Sequence, residues 1–393
     1  AKTLVMYDAI VVGAGVIGSW TALHLAKKGR KVLLLEQYQR SHTRGSSHGQ
    51  SRIIRKLYVD QHHAQLMDEA YQLWNELQTS SGIDFFKING HIAVCKKSVG
   101  KIKKLVASCE KYGIEHKVLD GSHVNAEFPG LKFNDDFEAV YEQTGGVLNA
   151  DKCLRAIQEE LIKFGGELHE NEKVLNIEPI NDSRVNVQTS TAEYDSASVV
   201  LCCGSWTNKL LKPLDLQLPL KACKVQVTYW KEKVPNIYSK FPSLIYYKVD
   251  AVSMYGLPCE AYPGYFKVDC FHYHFVVDPD DEEDLEKHPS SEEAKMRMEE
   301  IKEVVKNHLP YLVPEPKVKE PCMLTTTPDT DYILDRHPRH KNIIIGAGMS
   351  GHGFKTAPIV GKILSEFSDD VTPSYAVHYY VIDRFHTISK VHF

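Results

Sequence analysis

Gly13-Ala14-Gly15-Val16-Ile17-Gly18 closes the β-branched run Tyr7-Asp8-Ala9-Ile10-Val11-Val12, and an amphipathic helical stretch from Ser19 to Lys28 follows. Glycines in this G-x-G-x-x-G spacing suit one chemistry, the binding of a pyrophosphate. Gly13 makes the tight turn, Gly15 lets the backbone approach the phosphates, and Gly18 lets the helix pack on the strand. The phosphates then sit at the positive end of the helix dipole. Glu36 ends the next apolar run, Lys31-Val32-Leu33-Leu34-Leu35-Glu36. There it can accept hydrogen bonds from ribose hydroxyls, which favours an adenosine without a 2′-phosphate. The motif binds a dinucleotide and leaves NAD and FAD both open.

Two further constellations could do chemistry. The polar loop Ser41 to Gln50 (SHTRGSSHGQ) leads into Arg52-Ile53-Ile54-Arg55. Two guanidiniums around an apolar pair are a candidate anion pocket, a solvated loop being the plainer alternative. Late in the chain, Gly346-Ala347-Gly348-Met349-Ser350-Gly351-His352-Gly353-Phe354-Lys355 opens the last long helix. Such a glycine-rich helix start would aim its dipole at a flavin N1–C2=O and stabilise negative charge in the reduced ring. The nine cysteines (Cys95, Cys109, Cys153, Cys202, Cys203, Cys223, Cys259, Cys270, Cys322) show no CxxC spacing, and the 19 histidines never fall at ligand spacing with paired cysteines. No zinc framework is expected, and the thiols read as reduced. Vicinal Cys202-Cys203 lie in a β-run and read as small core residues.

The elements that must position these groups alternate. A helix is expected from about His62 to Ser80, with Ala64, Met67, Ala70, Leu73 and Leu77 as its apolar stripe. Gly145-Gly146-Val147-Leu148-Asn149-Ala150-Asp151 precedes a helix to Phe164, with Asn149 or Asp151 as N-cap. A strand from Glu172 to Ile177 leads on to the buried run Val199 to Cys203, where the chain returns to the first sheet. Residues 221–277 read as several antiparallel strands. Ser290 to Leu312 reads as a charged helix burying Met298, Ile301, Val305 and Leu309, and Val313-Pro314-Glu315-Pro316 as a linker. One nucleotide domain thus comes from three separated stretches, with a strand-rich domain interleaved. That pattern suits a flavin enzyme better than a simple dehydrogenase.

Composition narrows the class. Over 393 residues, 43% are hydrophobic and 25% charged, an ordinary soluble globular mix. Lys+Arg 47 against Asp+Glu 51 gives a formal charge of -4, so no nucleic-acid surface is expected. The apolar stretch Ala9 to Ala26 contains His24 and three glycines and lacks a basic n-region, so it is not read as a signal peptide. No stretch approaches the ~20 apolar residues of a membrane span.

Taken jointly, DAIVVGAGVIGSWTALHLAKKG, LLLEQ, RGSSHGQSRIIRK, GGVLNADKCLRA, LPLKACKVQVTYW, YGLPCEAYPG, CMLTTTPDTDYILDRHP and IIIGAGMSGHGFK resemble the monomeric sarcosine oxidase family of FAD-dependent amine oxidases, nearly end to end. The resemblance implies a two-domain α/β (α+β) fold of the D-amino acid oxidase kind. A discontinuous Rossmann-like FAD domain (1–80, 145–220, 321–393) would interleave with a substrate domain on a large, mostly antiparallel sheet (81–144, 221–320). FAD would be bound covalently through Cys322. Ser46, Val174, Gly351, Gly353 and Lys355 would join Gly13, Gly15, Gly18 and Glu36 around it. Arg55 and Lys355 would hold the substrate carboxylate, as a forked guanidinium and an ammonium suit a small amino acid. Arg52, Lys267, Tyr255 and His272 would flank the reacting groups, Lys267 by stabilising superoxide. His272 follows one residue more than the family's usual spacing, so His274, or neither histidine, is the alternative. Leu324 replaces a tyrosine usual in relatives, which bears on the preferred amine.

The implied reaction is oxidation of the N–Cα bond of a secondary α-amino acid (sarcosine, L-pipecolate or L-proline) by O2, giving an imine and hydrogen peroxide. An FAD oxidase of saccharopine or a glycated amino acid is the near alternative, and a catalytically silent flavin-fold binding protein the distant one. No metal is expected, and the family suggests a monomer. The chemistry favours the peroxisome, with the cytoplasm as alternative, because Lys390-Val391-His392-Phe393 keeps only the basic position of a targeting tripeptide.

Overall fold

The computed structural model describes residues 6–249, 252–270, 275–281 and 292–385. His272, His274 and the C-terminal Lys390–Phe393 lie outside them. The strand Met6–Val12 runs parallel to Val32–Leu35 on one side and to Glu193–Leu201 on the other. It can take this central place because Ile10 and Val11 are fully buried on opposite faces. Glu167–His169 adds beyond Val32–Leu35, and Ile343–Ala347 pairs in parallel with the end of Glu193–Leu201. The antiparallel hairpin Val174–Asn181 and Arg184–Thr189 joins the earlier part of Glu193–Leu201, making eight strands with Ile333–Arg336. Helices Val16–Lys27, Ala150–Lys163 and Gly353–Ser368 cover one face. Gly361 lets the last of these press on the first, since a Cβ there would stand 2.7 Å from the Cβ of Trp20.

The second sheet has nine strands. His91–Lys96, Lys117–Asp120 and Phe137–Glu142 form one end, and Lys221–Glu232 through Leu312–Thr326 the other. All its pairings are antiparallel except that of Ser243–Tyr247 with His91–Lys96. A three-stranded sheet, Arg52–Ile54, Phe86–Ile88 and Gly146–Leu148, lies apart from these two. The architecture is the expected one: a Rossmann-like parallel core and a larger, mostly antiparallel sheet, each built from separated segments.

Two local expectations are corrected. The stripe from His62 to Ser80 is not one helix: a short turn Gln61–Ala64 precedes the helix Met67–Ser81. His62 and His63 are both turned onto Asp331, and that tertiary contact overrides a continuous helix register. The proline-bearing stretch 313–316 is not a linker. It belongs to a 15-residue strand, Leu312–Thr326, paired along Lys221–Glu232. That strand has a single partner among the described strands, so Pro314, Pro316 and Pro321 can turn their donor-less nitrogens to the open edge.

Candidate active site

The turn after Met6–Val12 is held by Gly13 N–H, which donates to Leu35 O at 2.8 Å. Gly13 has φ +99°, and a Cβ on it would stand 2.5 Å from Cys202 O, while one on Gly18 would stand 1.9 Å from Gly13 O. Neither position admits a side chain. Gly15 is different: the one group its Cβ would crowd is the Ser47 hydroxyl, at 3.0 Å. That hydroxyl accepts a hydrogen bond from Val16 N–H at 2.9 Å, at the helix N-terminus where a phosphate belongs. Glu36, at the end of the second strand, accepts from Ala14 N–H and Tyr38 N–H, each at 3.0 Å. Burial raises its pKa, but hydrogen bonds from His42 and these amides outweigh burial and hold the carboxyl below its usual value. It stays an acceptor with lone pairs to spare for ribose hydroxyls.

From this turn a cavity of about 1090 Å³ runs to the face of the nine-stranded sheet. It exceeds the ~300–1,000 Å³ usual for one small ligand. Gly13, Gly15, Glu36, Ser46, Val174, Arg52, Arg55, Tyr255, Lys267, Cys322, Gly351, Gly353 and Lys355 all line it. Gly18 does not, as befits a residue that packs strand on helix. His272 lies outside the described residues.

The sheet supplies one group of these. Cys322 lies opposite Val225, Tyr255 opposite Asp269, and Lys267 opposite both Leu257 and Tyr229. Their strand parity puts Cys322, Tyr255 and Lys267 on one face. Lys267 Nζ donates to Ser51 O at 3.4 Å and stands 5.9 Å from the Tyr255 ring centre. Burial, then the charge of Arg52, lowers its pKa to about 8. Burial also pushes the Tyr255 phenol well up. Arg52 is tied into the polar loop, donating to the carbonyls of Ser46 at 2.9 Å and His48 at 2.7 Å. Asp151, in the first turn of the next helix, accepts from Gly49 N–H at 2.8 Å and holds that loop closed. Asn149 is the N-cap, accepting from Lys152 N–H.

Arg55 follows the strand Arg52–Ile54, and Lys355 lies in the first turn of Gly353–Ser368. Both face the ring of Tyr58, at 4.4 Å and 5.4 Å from its centre. Both are buried, at 8% and 7% exposure. Lys355 Nζ donates to His352 O at 3.2 Å, and burial together with Arg55 lowers its pKa well below the usual range. Arg55 Nη1, Ser51 Oγ and Tyr58 Oη are buried on this cavity with no hydrogen-bond partner among the described residues. Buried donors of this kind call for a polar ligand, and a carboxylate suits the two cations.

Sequence reasoning did not single out Ser47, Tyr58, His63 or Asp331. Ser47 sat in a loop without periodicity, and Tyr58 was one tyrosine among 20. Seven of the remaining cysteines are buried and Cys203 is half-buried on the cavity; burial raises Cys202 to about 12, and all nine are free thiols. No described helix is long and apolar enough to cross a membrane.

A dinucleotide therefore fits the residues present: a side-chain-free turn at a helix N-terminus, an ionised carboxylate behind it, and a second glycine-rich helix start across the cavity. The model of the family described as "FAD dependent oxidoreductase" matches residues 8–367. The chain is 41% identical to peroxisomal sarcosine oxidase of Mus musculus, with 98% of each protein covered. It is 29% identical to monomeric sarcosine oxidase of an Arthrobacter strain, with 96% of each covered. Among solved structures, the open form of NikD, an unusual amino acid oxidase, superposes with a TM-score of 0.81 at 22% identity, covering 96% of this chain and 97% of that one. Glycine oxidase of Geobacillus kaustophilus follows at 0.77 and 17%, covering 96% and 99%. At those identities the likeness is one of fold.

Proposed function

The chain belongs to the FAD-dependent oxidoreductase family, matched from residue 8 to residue 367, and on that footing we propose that it oxidises secondary α-amino acids at the N–Cα bond with O2 as acceptor. The observation that carries the substrate class is the Arg55–Lys355 pair: a buried guanidinium and a buried amine, which a bound carboxylate would hold protonated, facing one tyrosine on a cavity that also holds Cys322 and Lys267. FAD held in this cavity would supply a two-electron acceptor for the amine and a donor to oxygen, so that the products would be an imine and hydrogen peroxide.

Glu36, Ser47 and the two glycine-rich turns would hold the cofactor, and Cys322 would bond to it covalently. Arg55 offers a fork to the substrate carboxylate and Lys355 a point charge, which together orient a small amino acid. These cations and the desolvated cavity also lower the pKa of the bound amine, so it can react unprotonated without a dedicated base. Lys267, charged below pH 8 or so, would stabilise the anion formed as oxygen is reduced. Leu324 lines the cavity two residues from Cys322, and in place of the tyrosine usual in relatives it would widen the apolar side, which would favour a cyclic amine over a methylamine. The mouse and human relatives named peroxisomal sarcosine oxidase, with peroxide as the product, support a peroxisomal protein.

The test is a steady-state comparison of sarcosine, L-pipecolate and L-proline, with peroxide counted per amine consumed. Arg55→Ala and Lys355→Ala should each lower kcat/KM about 10–100-fold, the worth of a charge-assisted hydrogen bond. Unchanged kcat/KM in both variants would remove the carboxylate clamp from the mechanism.

A further inference from the structure

Beyond the two cations, the cavity wall carries a cluster that the oxidation does not use. His62 Nε2 lies 2.6 Å from Asp331 Oδ2, and His63 Nε2 lies 3.2 Å from Asp331 Oδ1. One ligand atom from each of the three residues falls within 4.8 Å of the others, and all three residues line the cavity. The two histidines are consecutive, on the short turn Gln61–Ala64, yet their rings converge to 4.3 Å and share one carboxylate. Asp331 comes from the loop after the strand Leu312–Thr326, so two distant segments meet here.

We propose that His62, His63 and Asp331 form a binding site for a divalent transition-metal ion, zinc first, on the wall of the cavity that also holds Arg55 and Lys355. Two imidazoles and one carboxylate are the donor set of borderline ions, whereas Mg2+ and Ca2+ take oxygen ligands. Zinc needs ligand atoms about 2.0–2.2 Å away in a tetrahedron, so the present contacts have to open by less than about 1 Å. Three protein ligands leave a fourth position, and the cavity is where it opens. The neighbouring His352 is not a fourth ligand. Its Nε2 lies 2.9 Å from Thr330 O, which can only accept, so Nδ1 must accept from Tyr332 Oη at 2.9 Å. His63, by contrast, has Nδ1 without a hydrogen-bond partner among the described residues, so no second bond resists its turning toward an ion. Asp331 carries the one formal charge of the triad, which keeps the empty site attractive to a cation.

Flavin-loaded protein, first dialysed against a chelator, is equilibrated with micromolar zinc, and bound zinc is measured per chain by mass spectrometry. One zinc per wild-type chain is expected, and Asp331→Asn and His62→Gln should weaken it by about 100-fold or more, beyond what outer-sphere changes cost. His62 sits on a partly exposed turn, so His62→Gln remains informative if Asp331→Asn fails to fold, and flavin absorbance reports folding in both. Wild-type protein that keeps no zinc, or folded variants that keep as much as wild type, would overturn the site and leave a hydrogen-bonded His–Asp–His cluster. Neither outcome bears on amine oxidation, because the readout is the metal.

Discussion

Cys322 and Lys267 show how little a residue's type says without its neighbours. Eight other cysteines are free thiols too, but Cys322 is the one that combines partial exposure with a place on the sheet face opposite the glycine turns. If it carries the flavin, acid-precipitated wild-type protein keeps its yellow colour in the pellet. Cys322→Ser then releases the colour to the supernatant, and equal release from both proteins would exclude the bond. Lys267 is a buried ammonium with its pKa brought down to about 8. It is charged below that value and neutral above it, so reactivity toward oxygen should fall as pH rises through about 8. Lys267→Met should flatten that profile and lower the second-order rate with O2 by roughly 100-fold, the usual loss of one preorganised charge. An unaltered pH profile in the variant would assign oxygen activation elsewhere.

Among elements, the strand Leu312–Thr326 and the helix Glu292–His308 do the positioning. The strand brings Cys322 to the cavity from a stretch whose prolines look unsuited to a sheet, and its pairing with Lys221–Glu232 supplies the hydrogen bonds. The helix is pinned to the same sheet by Arg297, which bonds Asp269 and donates to Cys270 Sγ and Gln226 O, with both charged partners buried. Asp269 lies across from Tyr255. Arg297→Met leaves that carboxylate uncompensated and should cost about 3–5 kcal/mol, seen as a large drop in Tm. Replacing both partners with apolar residues should recover most of it. At the end of Phe137–Glu142, burial pushes the Glu142 carboxyl up to about 7 from the usual 4.5, although Lys56 N–H and Arg55 favour its charge. Between those values the folded chain holds a proton that the unfolded chain has released, so stability falls as pH rises from 4.5 to 7. Glu142→Gln should remove that slope, gaining roughly 3 kcal/mol on wild type at pH 8 and little at pH 4. Parallel Tm profiles for the two proteins would contradict this burial.

At the scale of the molecule, the two sheets are not consecutive units joined by a tether. The chain crosses between them several times, and one continuous strand, Leu312–Thr326, runs from the helix Glu292–His308 to the cavity. Thr325 O accepts from Ser350 N–H at 2.9 Å, which joins that strand's end to the late glycine turn. Unfolding should therefore be a single transition. Far-UV circular dichroism and the rise of flavin fluorescence should share one midpoint in urea. Two resolved midpoints would mean that the sheets melt separately.

The amino-acid sequence by itself determined the cofactor end of this protein. Strand, turn, helix and acid lie within about 30 contiguous residues, and their constraints are local: a positive φ at Gly13, no room for a Cβ between Gly18 and Gly13 O, and a helix dipole at Gly15. The interleaving of two units was legible for the same reason, because each return to the parallel sheet is marked by its own apolar run and glycine turn. What only the tertiary structure decided lies at the other end of the cavity. Tyr58 under Arg55 and Lys355, and the meeting of His62 and His63 with Asp331, depend on contacts across up to about 300 residues. No periodicity encodes such contacts. The run through Pro314 and Pro316 makes the same point for an element, since local propensity reads a linker and only a partner strand turns it into a sheet edge.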